Sequence, residues 1–173
     1  MKQNFDKCLK MLLKHEGGFV NHPRDPGGMT NLGVTKAVYD KWVGKSSTEA
    51  EMRALTPDDV APIYKKNYWD KCKCDDLPAG LDLCVFDFGV NAGTGRAAKY
   101  LQNMAGATAD GAIGPNTIKK VNEYIEEHGI EYAVKKYQAK RQGYYERLKT
   151  FETFGRGWTR RVTETTESAL KMI

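Results

Sequence analysis

A chain of 173 residues, 40% of them apolar and 28% charged, is long enough to bury one core and too apolar to be intrinsically disordered. Its net charge of +5 suits an anionic polymer, whether cell wall, lipid headgroup or nucleic acid, without choosing among them. No apolar stretch is long enough to span a bilayer, and the polar start Met1-Lys2-Gln3-Asn4 lacks a leader's apolar centre, so folding in the cytoplasm is expected.

Phe5, Cys8, Leu9, Leu12 and Leu13 recur at helical spacing and predict a first helix from about Asn4 to Glu16, with Gly17 and Gly18 as its left-handed cap. A carboxyl in the last helical turn faces the negative end of the helix dipole, and partial desolvation adds to that in favouring the protonated form. A general acid in glycoside cleavage needs such a group, although an ordinary surface glutamate is the commoner fate of this position. The following residues include Pro23, Asp25, Pro26, Gly27, Gly28, Thr30, Gly33 and Thr35. Turn chemistry this dense predicts a short, sharply folded excursion, with a small β-hairpin confined to residues 17–36.

Beyond the loop the chain reads as helical. Val34 to Val43 predicts a helix capped by Thr35 and ended by Gly44, and Ser47 or Thr48 opens a short one through Leu55. Thr56-Pro57-Asp58-Asp59 is a start signal for a helix to about Lys71, whose apolar face carries Val60, Ile63, Tyr64, Tyr68 and Trp69. Trp69 is the first choice for a sugar-stacking ring, with core packing the favoured alternative. Residues 78–91 form the most apolar segment and predict a central buried helix punctuated by Asp82, Asp87 and Asn91. A buried acid needs a partner, so Asp87 is expected to bond a cap, an arginine or the preceding loop; lining a substrate groove is its second reading. Asn91 is a candidate sugar contact.

Thr94 is expected to cap a helix through Met104. The loop that follows holds Asp110-Gly111-Ala112-Ile113-Gly114-Pro115-Asn116-Thr117, where the glycines shape a turn and Pro115 opens the next helix. Further helices are predicted from Pro115 to about Glu127 and from Ile130 to about Lys149. A connector over Phe151–Phe154 then leads into a last helix to about Leu170, in which Arg160 and Arg161 are placed to tie back to buried acids and Trp158 to pack on the core. The fold class is therefore mainly α, with about eight helices and one small β element. Cys8, Cys72, Cys74 and Cys84 match no standard zinc spacing even with His15 and His22 nearby, so free, mostly buried thiols and no metal are expected.

The run from Glu16-Gly17-Gly18 through Asp25 and Thr30 to Thr35 resembles glycoside hydrolase family 108, N-acetylmuramidases of phage lysis cassettes and bacterial genomes, and more distantly the Glu–Asp–Thr constellation of lysozyme-like phage endolysins. The resemblance implies a lysozyme-like two-lobed helical body with a catalytic lobe over residues 1–95. The Asp110–Thr117 motif is similar to that of small peptidoglycan-binding modules and implies a wall-binding lobe over 96–173, packed as part of the same body. It further implies Glu16 as the acid, with Asp25 and Thr30 holding water. The gap from Asp25 to Thr30 is one residue shorter than in some endolysins, which makes Thr35 the alternative threonine.

The expected activity is cleavage of the β-1,4 bond between N-acetylmuramic acid and N-acetylglucosamine, with Asn91, Trp69 and Asp87 as candidate substrate contacts. No cofactor is required, because hydrolysis needs only an acid, a base and water. Peptidoglycan is the expected partner, and the resemblance implies release to the wall through a holin. A monomer is expected, with neither nucleic acid nor stable membrane association. The rival readings are a lytic transglycosylase using the same glutamate and a catalytically silent wall-binding module.

Overall fold

The computed structural model describes residues 1–21 and 28–173. Within them the helices are α1 (Phe5–Leu13), α2 (Lys36–Val43), α3 (Glu49–Arg53), α4 (Pro57–Tyr64), α5 (Leu81–Ala92), α6 (Thr94–Ala105), α7 (Pro115–His128), α8 (Ile130–Glu146) and α9 (Phe151–Leu170). A three-stranded antiparallel sheet, β1 (Val20–Asn21), β2 (Met29–Asn31) and β3 (Val34–Thr35), runs in that order.

Helix α5 is the centre because its sequence leaves it no polar face. Every residue from Leu81 to Gly89 is buried, the pattern of a helix covered on all sides. Helices α6, α8 and α9 pack on it from the C-terminal half of the chain, and α1 from the N-terminal end. Phe86 of α5 meets Trp69 edge-on at 5.2 Å between ring centroids, and Phe5 of α1 meets Trp69 at 5.4 Å. This aromatic knot seats the start of α1 on the central helix.

Local chemistry sets most boundaries. Thr48 and Glu51 form a reciprocal capping box on α3, and Thr56 and Asp59 form one on α4 behind Pro57. The Thr35 hydroxyl accepts from the Val38 amide at 3.2 Å to start α2, which Gly44 ends at φ +77°. After α4 the chain widens into a π-helical turn, Lys65–Trp69, closed by the Asp70 amide donating to the Lys65 carbonyl at 2.8 Å.

Some local details differ from those expected. Helix α1 stops at Leu13, and its cap, Lys14, is right-handed; Gly17 and Gly18 are not at positive φ and do not cap it. The small β element expected after the first helix is present, extended to a three-stranded sheet because Val34 and Thr35 pair with β2 before α2 begins. Thr94 is the first residue of α6, and Gly93 holds the cap position with no side-chain bond. Phe151–Phe154 is no connector but the first turn of α9. Gly155 lies inside that helix because a Cβ there would come within 2.6 Å of the Phe151 ring.

All four cysteines are free and buried. Among the described residues no helix is long and apolar enough to cross a membrane.

Candidate active site

Glu16 stands three residues past the end of α1, in the bend that leads to β1. Its side chain is 20% exposed, and Arg161 of α9 donates from Nη2 to Glu16 Oε1 at 3.1 Å. The other oxygen faces the β2–β3 turn. A Cβ built on Gly33 would lie 2.9 Å from Glu16 Oε2 and 2.5 Å from the Tyr64 hydroxyl. Gly33 sits at φ +78° and Leu32 at φ +52°, the double positive φ of a type I′ turn between paired strands. Leucine is a costly residue at that φ, and the Tyr64 hydroxyl holds the turn by donating to the Leu32 carbonyl at 2.7 Å. Glycine is thus required twice at position 33, for the turn and for the close approach of the carboxyl.

Burial, and then the neighbouring Glu16 carboxylate, push the Tyr64 hydroxyl well above its ordinary range, which keeps it a proton donor to Leu32. Tyr68, one turn on with its ring centroid 5.7 Å from that of Tyr64, is raised by the same two causes in the same order.

Behind Glu16 lies a buried ionic relay. Asp87 on α5 is 1% exposed and accepts from Arg161 at 3.0 and 3.1 Å and from Arg141 of α8 at 2.7 Å. Burial alone would push the Asp87 carboxyl up. The two guanidiniums and their hydrogen bonds outweigh it and hold the group at about 2. Arg141 continues the relay by donating from Nε to the Tyr145 hydroxyl at 3.1 Å, and that hydroxyl in turn donates to the side-chain Oδ1 of Asn91. The relay therefore stitches residues of the N-terminal half to residues of α8 and α9.

The predicted site residues separate clearly. Glu16 and Asp87 are joined through Arg161. Asn91 is exposed at the far end of the relay. Thr30 is the central residue of the small sheet, paired with Val20 on one side and Thr35 on the other. Thr35 is occupied as the cap of α2. Asp25 lies outside the described residues. Trp69 is 0% exposed, with its indole N–H donating to Asp75 at 2.7 Å; a ring with both faces in the core offers no surface to a sugar, so the packing role is the one its position allows. Of the readings open for Asp87, the bond to arginine is the observed one.

Three site residues carried other meanings in the sequence. Arg161 was legible as a partner for a buried acid, but its second bond, to Glu16, was not. Tyr64 reads as one more apolar-face residue, and only its phenolic tip, which must find a partner when buried, hinted otherwise. Gly33 reads as one loop glycine among several.

Comparison with known proteins gives two adjoining family matches. The model described as Glycosyl hydrolase 108 matches residues 9–93, and that described as Predicted Peptidoglycan domain matches residues 96–163. A solved structure titled "Structure of Brucella abortus SagA" is similar at 39% identity with a TM-score of 0.84, over 99% of this chain and 97% of that one. No curated protein matches the sequence.

Proposed function

The chain belongs to the glycosyl hydrolase 108 family, is mainly helical with a lysozyme-like fold, and is a peptidoglycan hydrolase; from that premise we propose that it is an N-acetylmuramidase with Glu16 as its general acid. The observation that carries the reading is the two-sided setting of Glu16. One carboxyl oxygen is clamped by Arg161, and the other is turned against the backbone of the Gly33 turn beside Tyr64. A carboxyl held this way keeps one orientation, which a proton donor to a glycosidic oxygen requires.

In the proposed reaction the proton on Glu16 passes to the oxygen between N-acetylmuramic acid and N-acetylglucosamine as the glycosidic bond breaks. Water held by Asp25 and the Thr30 hydroxyl attacks the anomeric carbon from the opposite face, and its proton goes to Asp25. Configuration is inverted, since the water stands between the sugar and the second carboxylate. Residues 1–95 form the catalytic lobe, and residues 96–173 engage the wall. Asn91, at the exposed end of the relay, contacts the glycan.

Mass spectrometry of digested peptidoglycan tests this. Reducing-end muramic acid is the expected product. Reducing-end glucosamine would make the enzyme a glucosaminidase, and anhydro ends a lytic transglycosylase. Glu16→Gln should abolish lysis of permeabilised cells while melting like the wild type; retained lysis would remove Glu16 from the acid role.

A further inference from the structure

We propose that the groove between α2 and the π-helical turn is the subsite for the carboxylate-bearing part of a peptidoglycan strand, with Trp42 as its sugar platform and Lys41, Lys66 and Lys71 as its anion contacts. The proposal rests on the peptidoglycan-hydrolase reading and extends it to a second set of residues. The groove has a volume of about 830 Å³, and its floor is closed by Gly93 and Thr94 where α5 passes into α6.

Its lining is chemically one-sided. Three lysines face it, and no aspartate or glutamate does. The neighbouring lysines are already matched: Lys36 with Asp40, Lys45 with Glu51, Lys65 with Asp70. Among the described residues, Lys41, Lys66 and Lys71 are in no ion pair, so the groove holds unspent positive charge. Trp42 is 38% exposed on the same wall, and the Lys66 ammonium lies 5.7 Å from its ring centroid. An open indole beside free cations suits a ligand with an apolar sugar face and nearby negative charge. A peptidoglycan strand has both: the sugar faces, and the carboxylates of its peptide stems, or a free lactyl carboxylate wherever a stem has been removed.

One lining residue, Tyr68, ties the groove to the proposed acid through packing. It packs on Tyr64, whose hydroxyl sits against the Gly33 turn beside Glu16.

The test uses the whole protein on three substrates: intact wall, wall with its carboxylates converted to amides, and amidase-stripped glycan strands that retain only the lactyl carboxylate. Trp42→Ala should raise the apparent KM about 3- to 10-fold on all three and leave kcat within about twofold. The pair Lys41→Gln and Lys71→Gln should raise KM about 2- to 10-fold on intact wall and have no effect on amidated wall. A lysine effect that vanishes on stripped strands shows that the lysines read stem carboxylates alone, and one that persists there shows that they also accept the lactyl carboxylate that stem removal frees. Unchanged KM in Trp42→Ala, or a lysine effect undiminished on amidated wall, would overturn the proposal. Co-sedimentation with intact sacculi reads the same variants without cleavage: weaker binding by both supports the groove, and binding equal to wild type rejects it. Failure of the wild type to cleave any of the three substrates would instead count against the hydrolase reading.

Discussion

Arg161 and Glu16, 145 positions apart in the chain, meet at 3.1 Å, and the same guanidinium nitrogen bonds Asp87 at 3.0 Å. An acid at the edge of the site and an acid inside the core thus share one cation. Burial works against the charge on Arg161, but Asp87 and then Glu16 outweigh it and push its pKa up, so it remains a cation at any working pH. The carboxyl proposed as the acid is in this way oriented from the central helix through α9.

Arg161→Met should therefore uncouple the two acids. Asp87 keeps Arg141, so the fold survives with a loss of roughly 1.5–3 kcal/mol for the missing charged hydrogen bonds. Glu16 loses its anchor, and hydrolysis should fall by about 100-fold, the scale of a misplacement near 1 Å. Arg161→Lys should restore part of the melting temperature but little activity, because an ammonium cannot reproduce the planar fork that reaches both carboxylates. Turbidity rates beside thermal melts check this. A wild-type rate in Arg161→Met would reduce the arginine to a packing element.

The Gly33 turn gives a sharper contrast. Gly33→Ala places a methyl within 3 Å of both the Tyr64 hydroxyl and Glu16 Oε2 at φ +78°, and should cost roughly 1–3 kcal/mol together with most of the activity. Gly17→Ala, beside Glu16 in sequence but with open space around it, should be silent in stability to within about 0.5 kcal/mol. Tyr64→Phe removes the bond to the Leu32 carbonyl and should cost about 1 kcal/mol. Denaturant titrations of the three variants rank them; equal costs for Gly17→Ala and Gly33→Ala would contradict the close-approach argument.

Much of this fold was legible because its helices announce themselves locally. Thr56-Pro57 with Asp59, Thr48 with Glu51 and Thr35 before Lys36 are caps whose chemistry acts within three residues, and α5 is apolar throughout. The sheet was harder, since strands of two or three residues carry no alternation to detect. Glycine misled twice in the same way. Gly17 and Gly18 suggested a helix cap and Gly155 a helix start, yet α1 had already ended and α9 was already under way. A glycine can mark a close approach, as at Gly155, a positive φ, as at Gly44, or neither, as at Gly17, and sequence alone does not say which. At the site, the Glu-Gly-Gly motif singled out Glu16 but set it inside the helix that in fact ends three residues earlier, while a partner for Asp87 followed from the physics of buried charge. The Arg161–Glu16 contact was not, because a bond across 145 positions leaves no local trace.

Acid should expose the Asp87 relay. An unfolded aspartate titrates near 3.9, roughly, and the folded group at about 2. A lowered native pKa means the stabilisation is complete above about pH 4 and drains away as the pH falls from there toward 2. Urea unfolding of the wild type should weaken across that window. Asp87→Asn should start about 3–5 kcal/mol less stable, because Arg141 is left buried without its closest counter-charge, and should lose this component of the acid dependence. An acid limb identical to that of the wild type would mean that other carboxylates set it.

Two glycines of α9 should respond to alanine with opposite signs. Replacing glycine inside a helix normally stabilises by about 0.5–1 kcal/mol through reduced backbone entropy. Gly157 is exposed with nothing within 4 Å of the new methyl, so Gly157→Ala should raise the melting temperature. Gly155 is buried with the Phe151 ring as close as 2.6 Å, so Gly155→Ala must displace that ring and should lower stability by about 1 kcal/mol or more. The strain falls at the start of the helix that carries Arg161, so wall lysis should drop in Gly155→Ala and hold in Gly157→Ala. If both variants were stabilised equally, Phe151 would have to be free to move, and α9 would not be seated on the core through that ring.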